Sequence, residues 1–221
     1  MRRFVTASLM LAGLLVASTA FAVDFNHKST LPAGPEPGQQ QLQFTLASVL
    51  TCDDGNANSA YYQWDTGRYG NFFTLPANTR LSAVEFAHYG FGFEGPYDYD
   101  LEMWDGTSCT MIAEVPGLVA QDAAYGIGVE QVYLCPFNLV MGGNVIVAID
   151  ANTCLEPSDC YPDLLYDDQV GVFCPFIVDA TTGECFDVSA HSGPFLLRLE
   201  INGCPVPTIP RNWGSVKGLY R

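Results

Sequence analysis

Positive charge is scarce in this chain. Its 221 residues hold 9 lysines and arginines against 24 aspartates and glutamates, a formal net charge of −15. From Val23 to Cys204 the cations are Lys28, Arg68, Arg80 and Arg198 alone, and every acid lies in that stretch. A surface of that sign repels a phosphate backbone, so nucleic acid is not an expected partner. The same surface suits solubility, or divalent cations.

Long apolar runs are missing too. The strictly apolar run Leu9 to Val16 is far shorter than the ~20 residues a membrane-spanning helix needs. With Arg2-Arg3 before it and Ala20-Phe21-Ala22 after it, the run makes residues 1–22 a secretory signal peptide cut after Ala22. The mature chain is therefore expected to be exported, with no transmembrane anchor, to the periplasm, the cell surface or the medium.

Several chemical signatures are absent as well. There is no G-x-S-x-G, no H-E-x-x-H, no P-loop lysine and no C-x-x-C, which removes the sequence signals of common hydrolases, zincins and nucleotide-binding loops. The three histidines, His27, His88 and His191, are scattered, and a triad through His88 or His191 has nothing in the sequence to favour it. Gly90 to Gly95 fits G-x-G-x-x-G, but Pro96 and an alternating strand follow it where a dinucleotide site requires a helix. It reads as a strand connection. Asp65-Thr66-Gly67 stands alone without the second triplet of an aspartic protease, and Arg68 beside it would keep Asp65 ionised. It reads as a turn.

What the chain does have is alternation. From Leu81 to Gly106, Val84 and Phe86 share one face, and Tyr97, Tyr99, Leu101 and Met103 alternate with Asp98, Asp100, Glu102 and Trp104. Further short strands are expected at 43–50, 61–64, 71–75, 111–115, 129–134, 144–150, 164–166 and 195–201, separated by turn formers such as TLPANT, EVPG, MGGN and HSGP. Many short strands with regular turns predict an all-β fold, a two-sheet antiparallel β-sandwich or jelly roll. Its limits are set at 42–204, after a Pro/Gly/Gln-rich linker (23–41) and before a Pro-rich spacer with a basic, aromatic tail (205–221). Cys154 to Cys185 reads as a long, looser loop.

Eight cysteines, an even number in an exported chain, predict disulfides. The expected pairings are Cys52–Cys204, closing the sandwich near its two chain ends, and three local bridges, Cys109–Cys135, Cys154–Cys160 and Cys174–Cys185.

Two kinds of binding residue emerge. Asp98 and Asp100, with Glu102 on the same strand face and Asp53-Asp54-Gly55-Asn56 in a turn, offer oxygen donors for a structural calcium. No other cofactor is expected. Trp104, whose parity places it on the acidic face, and Trp64 are candidate platforms for sugar rings.

The order Asp53-Asp54-Gly55, Ala60 to Trp64, then LSAVEF (81–86), DYDLEMWDG (98–106) and FLLRLEI (195–201) resembles secreted bacterial β-sandwich modules attached to exported enzymes and surface proteins, over Gln43 to Asn202. Residues 213–221, WGSVKGLYR, are similar to short W-G-x-[IV]-K-x-L-[YF]-R tails of exported proteins, which makes Trp213, Lys217, Tyr220 and Arg221 a candidate sorting signal. The tail has neither an LPxTG motif nor the apolar span of a PEP-CTERM anchor. The resemblance implies a non-catalytic binding, spacer or stabilising module with extracellular polysaccharide or surface proteins as partners. The alternatives are a carbohydrate-binding module and an extracellular hydrolase.

Overall fold

The computed structural model describes residues 28–29, 49–57, 59–63, 67–91, 97–120, 125–156, 159–167 and 171–204. The expected signal peptide, Trp64 and the tail residues Trp213, Lys217, Tyr220 and Arg221 lie outside them.

The strands are β1 (Lys28–Ser29), β2 (Val49–Leu50), β3 (Ser59–Gln63), β4 (Gly67–Phe91), β5 (Tyr97–Asp105), β6 (Met111–Ala120) and β7 (Tyr125–Tyr133). They continue with β8 (Val140–Ala151), β9 (Thr153–Glu156), β10 (Asp159–Tyr166), β11 (Pro175–Asp179), β12 (Glu184–Asp187) and β13 (Leu197–Ile201). The fold is all-β, and its strand pairs are antiparallel.

β4 is the spine. Its first part, to Arg80, pairs with β8 and β11, in a first sheet ordered β12-β11-β4-β8-β5-β6. Its second part, from Leu81, pairs with β7 on one side and with β13 and β10 on the other, in a second sheet completed by β1, β2, β3 and β9. The sequence predicts two strands here with TLPANT as a turn between them. Instead the chain stays extended, with a bulge between Leu75 and Thr79 shortly before its partners change at Leu81. Asn78 takes φ 60° and Thr79 Oγ1 donates to the Pro76 carbonyl at 2.7 Å, so the punctuators bend the strand without ending it.

The core lies between the sheets. Tyr69, Phe73, Leu101, Met103, Val147 and Ile149 of the first sheet meet Val84, Phe86, Val132, Leu164, Leu197 and Leu199 of the second. Tyr99 meets Phe86 edge-on at 5.2 Å between ring centroids, and Tyr97 stacks on Tyr161 at 5.5 Å. Such aromatic pairs add about 0.5–1.5 kcal/mol each beyond their buried area. The two sheets form an open sandwich joined through one strand. The supposed loop from Cys154 to Cys185 in fact supplies strands β9 to β11 and the start of β12. Its short strands, bounded by Pro and Asp, carry too little alternation to read as such.

The disulfide framework differs from expectation. Cys52 bridges Cys174, Cys109 bridges Cys185 and Cys135 bridges Cys204, so the pairings Cys52–Cys204, Cys109–Cys135 and Cys174–Cys185 are corrected. Antiparallel sandwiches bring distant parts of the chain side by side. β7 and β13 flank the same stretch of β4, so the cysteines that follow them meet. Sequence separations of 69 to 122 residues mean that each bridge removes about 4–5 kcal/mol of unfolded-chain entropy in the chain-entropy model, not additively because the loops overlap. Cys154 is also disulfide-bonded and its backbone pairs with Cys160, whose side chain lies outside the described residues.

Candidate functional site

The outward face of the first sheet carries a cluster of interacting charges. In β5 the even-numbered residues Asp98, Asp100, Glu102 and Trp104 point away from the core, as the alternation predicts. Cross-strand pairing brings Asp100 opposite Asp150 of β8 and Glu102 opposite Glu114 of β6. Like charges placed directly opposite one another destabilise a sheet, so this arrangement needs a counterion.

Arg68 of β4 supplies it. Its Nη2 lies 2.8 Å from Asp150 Oδ2 and its Nε 3.3 Å from Glu102 Oε1. Glu102 Oε2 accepts the Trp104 indole N–H at 2.7 Å, and Asp100 Oδ1 accepts the Gly117 N–H at 2.6 Å. Burial raises the Glu102 carboxyl above its ordinary range, against the pull of Trp104 and Arg68. Burial also pushes Asp150 up to about 7; Arg68 opposes that shift, while Glu102, Asp100 and Glu114 add to it. Asp150 therefore exchanges a proton near neutrality, which suits it to acid–base work at that pH.

Beside the charges lies a small apolar layer. Trp104, Ile146, Ala148, Phe176 and Val178 pack together, with Phe72 and the Cys109–Cys185 bridge against them. Trp104 is on the face expected of it, but it is only 6% exposed and its indole N–H is engaged by Glu102, so it offers no ring to a sugar. The exposed ring belongs to Phe173, 59% exposed, which meets Phe72 at 5.3 Å and Phe176 at 5.5 Å. Phe72 in turn stacks on Phe176 at 5.3 Å. At the next outward position of β4, Thr74 bonds the Asn144 side chain at 3.2 Å, and Asn144 donates to Thr107 at 3.4 Å. A cluster of three phenylalanines thus adjoins a row of hydroxyl and amide groups.

Of the proposed calcium donors, Asp100, Asp53 and Asp54 have carboxylate oxygens engaged with protein groups, whereas Asp98 is exposed and is bonded through its backbone. Asp98 donates its backbone N–H to Thr153 Oγ1 at 2.8 Å, and Asp100 receives Gly117. In the Asp53-to-Asn56 turn, Asp53 pairs with Arg198 at 2.7 Å and accepts the Thr51 hydroxyl, while Asp54 accepts from Asn56. Among the described residues no three His, Cys, Asp or Glu side chains are grouped to hold a metal ion.

A second polar group lies inside the sandwich. His88, fully buried, meets Glu130 at 3.4 Å, and a Cβ at Gly128 would sit 2.5 Å from the His88 ring. Burial and then Glu130 push the Tyr99 hydroxyl well above its ordinary range. His191 lies apart, exposed in a turn.

Sequence reasoning found Asp100, Glu102 and Trp104 as neighbours through strand parity. It assigned Arg68 to Asp65 and left Asp150 as an ordinary strand end, because cross-strand register is not written in either segment. Phe173 was hidden in the cysteine-rich segment. No protein-family description matches the chain, and no curated protein and no solved structure matches it either.

Proposed function

We propose that this is an exported, non-catalytic β-sandwich module that binds extracellular polymer at the cell surface or in the medium, through the outward face of its first sheet. The observation that carries the reading is the contrast on that face. The carboxylates of Asp100, Glu102 and Asp150 are turned onto Gly117, Trp104 and Arg68, whereas the exposed Phe173 ring packs on Phe72, whose neighbour on the same face of β4, Thr74, begins the row through Asn144 to Thr107. An aromatic ring held from behind by two others is a rigid apolar surface, and the hydroxyl and amide groups supply both donors and acceptors. That pairing suits the apolar face and hydroxyl groups of a sugar. The strong negative charge favours neutral or cationic polysaccharide over polyanions. The disulfides among the described residues fit an oxidising, extracellular-type compartment, and the resemblance to exported binding modules agrees.

Retention of the purified protein on a panel of insoluble and immobilised polysaccharides tests this. At least one neutral or cationic polymer should retain it, and Phe173→Ala should abolish retention without lowering the melting temperature. Retention by no such polymer, or retention indifferent to Phe173→Ala, overturns the polysaccharide reading. The hydrolase alternative draws its support from Asp150 titrating near neutrality. Turnover of a glycoside or peptide substrate that disappears in Asp150→Asn would decide for it.

A further inference from the structure

Three chain segments meet at Arg80 to Ala83 of β4. On one flank Tyr133 pairs with Ala83, Leu134 N–H donates to the Ser82 carbonyl, Leu81 N–H donates to the Leu139 carbonyl, and Val140 pairs with Arg80. On the other flank Glu200 pairs with Ala83, Asn202 N–H donates to the Arg80 carbonyl, and Gly203 N–H donates to the Ser82 hydroxyl. The Cys135–Cys204 bridge joins the two flanks. Around Cys135 three apolar side chains face water: Tyr133 is 52% exposed, Phe137 49% and Val140 52%. Single exposed apolar residues are ordinary, but three between 133 and 140, on the two sides of one bridged cysteine, are a concentration of apolar surface that invites a cover.

We propose that this patch is the docking surface for the chain's own C-terminal segment, residues 205–221. The tether is the first argument. Cys204 is covalently held to Cys135, so the segment begins at the edge of the patch. Trp213 follows Cys204 by nine residues, a reach of about 28 Å even if fully extended as polyproline II, so the segment spans the patch with slack. Tethering at this length supplies an effective concentration on the order of millimolar, and a weak contact is then enough to keep it docked.

Composition is the second argument. The segment offers Trp213, Val216, Leu219 and Tyr220 as apolar groups and Arg211, Lys217 and Arg221 as cations, without one acid. Tyr133 and Glu200 are cross-strand neighbours on either side of the buried Ala83, and the Glu200 carboxylate lies against Gly203, at the root of the segment. An apolar patch with a carboxylate beside it, on a strongly acidic domain, complements a basic, aromatic segment. A second copy of the domain brings its own negative charge to the same place and fits it less well.

The test compares the mature chain, a chain ending at Cys204 so that the bridge is kept, and a synthetic peptide of residues 205–221. Docking predicts that amide hydrogens in 129–140 exchange at least about threefold more slowly in the mature chain than in the shortened one. Added peptide should restore the protection in the shortened chain, less well at high salt. The Tyr133→Ser/Phe137→Ser variant, altered only at half-exposed side chains, should bind the peptide at least about tenfold more weakly with an unchanged melting temperature. Equal exchange in the two chains overturns the proposal, as does peptide binding that survives the double variant. Protection that rises with protein concentration in the shortened chain also overturns it, because the patch then belongs to a second copy.

Discussion

Replacing Asp150 with asparagine should change how stability depends on pH, with a size set by the first sheet's outward face. In the folded chain Asp150 is buried among Asp100, Glu102 and Glu114 and titrates at about 7, against an ordinary value of 3.8. Between those values the folded carboxyl keeps a proton that the unfolded one has released. The folded state then binds more protons, so stability falls as pH rises through that window and levels off above it. Each pH unit of the window is worth about 1.4 kcal/mol. From about pH 5 to about pH 8 the wild-type chain should lose roughly 3 kcal/mol that the asparagine variant keeps. For a domain of this size that difference is roughly 6–12 °C in melting temperature. Glu102 is raised in the same direction but is present in both proteins, so the difference between them isolates Asp150. Calorimetric or urea unfolding of both proteins across this range measures it. The same pH slope in the two, or a wild-type chain relatively more stable at the alkaline end, would refute the reasoning.

Two further substitutions probe the buried polar groups. Gly128→Ala places a methyl group 2.5 Å from the His88 ring between two packed strands, and should cost about 1–3 kcal/mol, read as a lower urea midpoint with unchanged slope. Arg198→Met leaves the buried Asp53 carboxylate without its guanidinium and should cost about 3–5 kcal/mol, with earlier proteolysis of residues 51–57 in a limited digest. Stability unchanged in either variant would contradict the corresponding packing.

Strand parity made much of the fold legible. The alternation of Tyr97 to Trp104 gave β5 its inward aromatic face and outward acidic face, and both hold. It failed where an extended chain passes through turn formers. Pro76 and Asn78 are accommodated in β4 because Gly142 faces the bulge, where a Cβ would sit 2.8 Å from Ala77 Cα. The sequence of β4 alone carries no sign of that glycine. The candidate site was half visible for a related reason. Asp100, Glu102 and Trp104 share a strand, so parity finds them together, but Arg68 and Asp150 reach them only through register between strands far apart in sequence, and Phe173 joins the neighbouring apolar layer only through Phe72 and Phe176. The disulfides follow the same logic. Proximity in sequence favoured local bridges, whereas pairing on opposite flanks of β4 and across the two sheets decided them.

The central claim is that β4 unites two sheets whose outer strands are held by long-range bridges. Proteolysis of the oxidised protein without reduction, followed by mass spectrometry of the linked peptides, tests it most directly. The account predicts the pairs Cys52–Cys174, Cys109–Cys185 and Cys135–Cys204 and no labelling of thiols in denaturant. Recovery of Cys109 linked to Cys135, or of Cys174 linked to Cys185, would contradict it.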